Sequence, residues 1–162
     1  MYFLGVLDYG FRSPPLKLKK MNQLPLADWK KAVCLEARRG NKDLVCTMLT
    51  ERGVHIQEVQ VEGRSILHFA VSSGNAELVN VLLSFRCDPN KKSPFGELPI
   101  CLAVNAGMSD VVEILAAGGA NLTLLDGRGE SCLDCLKKRG DSFSLLRRLQ
   151  VCLFLVVVFL FV

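Results

Sequence analysis

Apolar positions along this chain fall into paired stripes. Between Gly63 and Asn90, Ile66, Leu67 and Ala70 form one run, and Leu78, Val79, Leu82 and Leu83 form a second. Both runs follow helical spacing. Ser72-Ser73-Gly74-Asn75 between them is a turn signal. The stretch predicts two short helices back to back, each with a single apolar stripe. Neither can bury its stripe alone, so the unit requires neighbours.

Those neighbours recur at one interval. Gly63 returns as Gly96 and Gly129, and Gly74 as Gly107 and Gly140, each 33 residues on. Ala70 returns as Ala103, Leu67 as Ile100 and Leu133, and Leu78-Val79 as Val111-Val112. A fixed period in this range signals a stacked repeat array.

The residues within the period resemble the ankyrin repeat. Ser65-Ile66-Leu67-His68 is similar to the Thr-Pro-Leu-His tetrapeptide that opens the family's first helix. Asn75 to Val79 with Leu82-Leu83 resembles its second helix, and Cys87-Asp88-Pro89-Asn90 its closing turn. The next copy carries Leu98-Pro99-Ile100-Cys101, Val111-Val112 and Gly119-Ala120-Asn121. The resemblance covers residues 28–150 and implies an all-α solenoid of helix-turn-helix pairs joined by β-hairpin-like turns. Four units are expected, at 28–61, 62–94, 95–127 and 128–150.

Local chemistry agrees with this pattern. A serine before a helix accepts from orphan backbone N–H groups. Pro99 in a first turn sacrifices no hydrogen bond, and glycine after the first helix supplies a positive φ. The departures are as informative. Leu98 and Cys101, then Cys132 and Asp134, replace family residues, and Arg86 stands where glycine usually ends the second helix. In the first unit the Gly40 to Gly74 offset is 34, which puts Glu36 in the place of the small alanine. Asp28 reads as the N-cap before Trp29. In the fourth unit Gly129 to Leu136 reads as the first helix and Phe143 to Leu149 as the second.

The flanks stand outside the repeats. Residues 1–27 read as an N-terminal extension with a Ser13-Pro14-Pro15 breaker and a lysine-rich linker, and as a poor signal peptide. Residues 151–162 are apolar throughout. As a helix they reach about 18 Å, against roughly 30 Å of bilayer hydrocarbon. Two expectations attach to them: an end created by reading through a splice donor, marking a truncated isoform or fragment of a larger protein, and an anchor that tethers the repeats to a membrane.

Composition changes the picture little. The net charge of +4 does not argue for nucleic acid. Seven cysteines, an odd and scattered set, read as reduced core thiols in a cytoplasmic protein. Cys132-Leu133-Asp134-Cys135 has no second pair for zinc. His68 matches the family's structural histidine. Neither a phosphate loop nor a nucleophile elbow is present. No catalysis, metal or cofactor is expected. Asn121-Leu122-Thr123 fits a sequon but reads as a closing turn, and Asn90 resembles an asparagine that some members present for hydroxylation.

The resemblance implies function through a concave surface. Carried over by position, its hairpin tips are Glu62 and Arg64, Phe95 and Glu97, and Arg128 and Glu130. Its helix ends are Arg38 and Arg39, Ser72 and Ser73, Asn105 and Ala106, and Lys138 and Arg139. The surface is basic at both ends with Phe95 exposed in the middle. The expectation is a monomeric, non-catalytic adaptor or scaffold that binds another protein, with membrane tethering as the alternative.

Overall fold

The computed structural model describes residues 23–139. The expectations for 1–22, for the turn at Gly140, for a helix over 143–149 and for the tail at 151–162 lie outside the described residues.

Within them the chain forms seven α-helices: α1 (Leu26–Arg38), α2 (Lys42–Arg52), α3 (Ile66–Ser73), α4 (Ala76–Ser84), α5 (Pro99–Ala106), α6 (Ser109–Ala117) and α7 (Cys132–Arg139). A short 3-10 turn covers Ile56–Glu58, and a two-stranded hairpin pairs β1 (Gln60–Val61) with β2 (Arg64–Ser65). The repeats are therefore helix pairs, as their stripes predict.

Termini follow local chemistry. Gly40, Gly74 and Gly107 end α1, α3 and α5 with φ near +75, +71 and +74. An L-residue meets its own carbonyl in that region, so recurrence of glycine there is a backbone requirement. Asn75 caps α4 by accepting the Leu78 N–H at 3.0 Å. Acidic residues sit in the first turns of α1, α2, α4, α6 and α7, and basic ones in the last turns of α1, α2 and α7. Both placements suit the helix dipole.

Two boundaries differ from the sequence reading. α1 starts at Leu26 behind Pro25, whose carbonyl accepts from Trp29 N at 2.9 Å. Asp28 thus lies inside the first turn and is not the cap. α7 starts at Cys132, because Gly129 with φ +76 belongs to a hairpin tip.

The helices form two rows. First helices α1, α3, α5 and α7 pack in succession, and second helices α2, α4 and α6 pack behind them. Leu67 and Ile100 are buried at neighbouring positions of the first row, with Leu133 packed against the same core. Burying a side chain of this size stabilises by about 1.5–3 kcal/mol. Ala70 and Ala103 are buried at the close approaches, and Glu36 occupies the equivalent place in the first unit, 2 % exposed. Arg39 Nη1 donates to its carboxylate at 2.7 Å, and Asn41 Nδ2 donates to its second oxygen.

Candidate functional site

Three hairpin tips line one edge of the array. The first is a two-residue turn with Glu62 and Gly63 both at positive φ, 51 and 73. It closes the pairs Gln60 with Ser65 and Val61 with Arg64. The second and third use one device in two chemistries. Ser93 N donates to Glu97 O at 2.9 Å, and its Oγ accepts from Phe95 N and Glu97 N at 3.3 and 3.1 Å. Asp126 N donates to Glu130 O at 2.8 Å, and its Oδ1 accepts from Arg128 N and Glu130 N at 2.8 and 3.1 Å. Neither residue was visible as a tip organiser in the sequence, although both lie at one phase of the period.

The tips touch each other. Gly127 N donates to Gly96 O at 2.9 Å. A Cβ built on Gly127 lies 2.0 Å from the Phe95 carbonyl oxygen, and one on Gly63 lies 2.4 Å from Pro94 Cγ. Only backbone fits at these approaches, so the tips form a continuous ridge.

Phe95 stands on that ridge with 75 % of its surface exposed. The Arg64 guanidinium lies 5.9 Å from its ring centroid and donates to the Glu97 carboxylate at 2.5 Å. Three expected face residues from two repeats are thereby joined.

His68 ties the same repeats from below. Its Nδ1 faces Ser65 N at 3.2 Å and Ser65 Oγ at 2.8 Å, and its Nε2 lies 3.1 Å from Glu97 O. A carbonyl only accepts, so Nε2 carries the proton and Nδ1 accepts from Ser65. Desolvation by burial holds the His68 pKa below its ordinary value, outweighing the raising effect of the Glu97 carbonyl.

The family model for ankyrin repeats (3 copies) matches residues 23–136. The chain belongs to the ankyrin-repeat family. Among curated relatives, glycerophosphocholine phosphodiesterase gde1 of Schizosaccharomyces pombe is 30% identical over 102 residues, 62% of this chain and 9% of that protein. Mouse protein phosphatase 1 regulatory subunit 27 is 28% identical over 93 residues, 57% of this chain and 60% of the relative. Rat nuclear factor NF-kappa-B p105 subunit is 38% identical over 95 residues, 54% of this chain and 10% of the relative. The chain thus spans less than two thirds of each. Ankyrin repeats are protein-interaction modules and generally non-catalytic.

At the start of α7 the capping half of the His68 device recurs with a different residue. Asp134 Oδ2 accepts from Ser131 N at 3.1 Å and from Ser131 Oγ at 2.5 Å, while Asp134 N donates back to Ser131 Oγ at 3.2 Å. The Ser131 hydroxyl holds the Asp134 carboxyl below its ordinary pKa. The third unit has Leu98 at this cap with no side-chain bond.

The remaining face residues divide by what holds them. Ser72 Oγ and Ser73 Oγ donate to His68 O and Ala70 O, at 2.9 and 2.7 Å. Arg139 Nη1 donates to Asn105 O at 2.5 Å, and Lys138 pairs with Glu130. Glu62, Arg38 and Arg128 are exposed and carry no ion pair among the described residues.

The other flagged groups are structural here. Asn121 Oδ1 accepts from Thr123 N and Thr123 Oγ, at 2.9 and 2.8 Å. Asn90 crosses to the next repeat, accepting from Asn121 N at 2.7 Å and donating to Gly119 O at 3.1 Å. Cys34, Cys87, Cys101, Cys132 and Cys135 are buried and free. Burial pushes the Cys34, Cys101 and Cys132 thiols up to about 12 and Cys87 to about 11, which suppresses the reactive thiolate. Among the described residues no helix is long and apolar enough to cross a membrane.

Proposed function

We propose that residues 28–150 act as one non-catalytic module, in units 28–61, 62–94, 95–127 and 128–150, that binds another protein through the tip ridge and the adjoining first-helix ends. The observation that carries this reading is Phe95. It stands exposed on backbone packed too tightly to move aside, with Arg64 held against its ring. A rigid aromatic costs little ordering on binding, and aromatic and arginine side chains dominate interface energetics. Relatives named as a protein phosphatase 1 regulatory subunit and as a nuclear factor NF-kappa-B subunit are consistent with an adaptor role. The module acts as a cytoplasmic monomer without a cofactor.

Glu97 is unsuited to testing this face, because its carboxylate holds Arg64. The double variant Phe95→Ala/Arg128→Glu changes only exposed side chains. Cross-linked co-purification on the full chain should lose partners in this variant and keep them in Phe85→Ala, which alters an exposed aromatic on the second-helix row. An unchanged captured set would remove the ridge from consideration.

A further inference from the structure

Three thiols meet where α5 packs on α7. The first helix brings Cys101 and the second brings Cys132 and Cys135. All three are free and at most 5 % exposed. Cys101 stands one period after His68, within reach of the Asp126 and Arg128 charges of the third tip. Its thiol is hydrogen-bonded to that of Cys135. Cys132 lies beside both without such a bond. Cys135 in turn donates from Sγ to Glu130 Oε2 at 3.7 Å. The other neighbouring pair is built differently: Cys34 is near Cys87, but the Leu67 backbone engages the Cys87 thiol. Core packing asks only for apolar volume at 101 and 135. It does not ask for two sulfurs in contact, one from each helix.

We propose that Cys101 and Cys135 form a reversible disulfide, a staple between α5 and α7 set by exchange with a small-molecule disulfide of the glutathione type. Cys135 attacks first, its proton passing to the Glu130 carboxylate that already accepts it. The Cys135 sulfur bonds to one sulfur of the small disulfide, whose S–S bond breaks, and the other half leaves as a thiol. The Cys101 sulfur then attacks Cys135 in this mixed disulfide and expels the second thiol. Two protein thiols are oxidised and one small disulfide is reduced to two thiols. Desolvation by burial raises the pKa of both cysteines, so exchange is slow in either direction and the staple persists once set. It closes α5, α6 and the third tip into one loop with α7. Closing that loop restricts the unfolded chain and holds the α5–α7 interface against opening.

Incubating the reduced full chain with oxidised glutathione, then alkylating and digesting it without reductant, tests this by mass spectrometry. The expected product joins the Cys101 peptide to the Cys135 peptide within one chain, with fragmentation placing the bond at Cys135 and not at Cys132. Hydrogen exchange in α5 and α7 should slow by about tenfold or more on oxidation and recover with dithiothreitol. Cys101→Ala and Cys135→Ala should each abolish both changes, and Cys34→Ala should keep them. A bond to any other cysteine, glutathione adducts alone, links between chains, no loss of thiols, or a linked product with unaltered exchange each overturn the proposal. The wild-type mapping decides by itself should either alanine variant lose its helical circular-dichroism spectrum.

Discussion

His68 shows how much one side chain can decide in this array. It is 1 % exposed and makes bonds in two directions, to the cap of its own helix and to the carbonyl of the next tip. Removing it strands a buried donor and an acceptor, which costs about 1–3 kcal/mol. Its titration has a definite sign. The folded-state pKa is lowered from 6.5 by desolvation, so the unfolded chain takes up the proton first as pH falls. Unfolded chains then hold more protons than folded ones, and stability drops as pH falls through 6.5, levelling only below the lowered folded value. Denaturant midpoints measured at about pH 7.5 and about pH 5.5 should fall in the wild type and barely differ in His68→Gln. Parallel declines in both proteins would mean that other groups carry the acid sensitivity. Glu36 is the contrasting residue. Its burial is compensated from one side by Arg39 and Asn41, both of which stay exposed. It is a carboxylate tolerated at an alanine position because this unit begins the described array.

At the scale of elements, what holds a repeat together and what joins repeats were unequally readable. The helix pairs followed from spacing, and glycine at 40, 74 and 107 marked the same left-handed stop three times. Local signals suffice there because each i, i+4 contact is encoded within one turn. The joints were not readable. Asn75 Nδ2 donates to Gly40 O at 2.9 Å, Asn90 bridges to Gly119 and Asn121, and Arg139 reaches Asn105. Each bond spans about one period, and its partner is set by stacking geometry that no local pattern specifies. The same holds for the candidate face. Its membership came from position in the period, while the pairing of Glu97 with Arg64 and of Glu130 with Lys138 came only from the fold. Gly127 is the sharpest instance, a glycine required by close approach with no positive φ to announce it. Gly127→Ala should cost about 1–3 kcal/mol, because the new methyl must displace the Phe95 carbonyl and break the bond to Gly96. Gly129→Ala, with φ +76 but open space around it, should cost only the backbone strain of about 1–2 kcal/mol. Thermal melts rank the two by size, and co-purification separates them by kind: only the Gly127 change should also weaken capture of partners by the ridge.

Stacked units make the described array a one-dimensional object. Each repeat meets only its neighbours, so stability is close to a sum of unit terms and interface terms. A substitution then acts on the interfaces it touches, and its reach depends on place more than on size. Leu67 lies fully buried in α3, which packs against α1 on one side and α5 on the other. Leu67→Ala should cost about 2–5 kcal/mol, since the cavity is walled by two helices that cannot both collapse into it. Leu35→Ala on α1, where the side chain is 46% exposed, should change stability by no more than about 0.5 kcal/mol. The distribution of the loss matters more than its amount. If interfaces couple the units, Leu67→Ala lowers hydrogen-exchange protection in α1 and α5 together with α3, and the ridge loses rigidity because α3 and α5 carry the Arg64 and Phe95 tips at their N-terminal ends. If protection falls in α3 alone, the units are independent, and rigid presentation of Phe95 must come from the tip-to-tip contacts, Gly63 against the Pro94 ring and Gly96 against the Gly127 backbone. Hydrogen exchange read by mass spectrometry on the full chain distinguishes the two, because peptides from α1, α3 and α5 are separated in sequence by the hairpins and second helices.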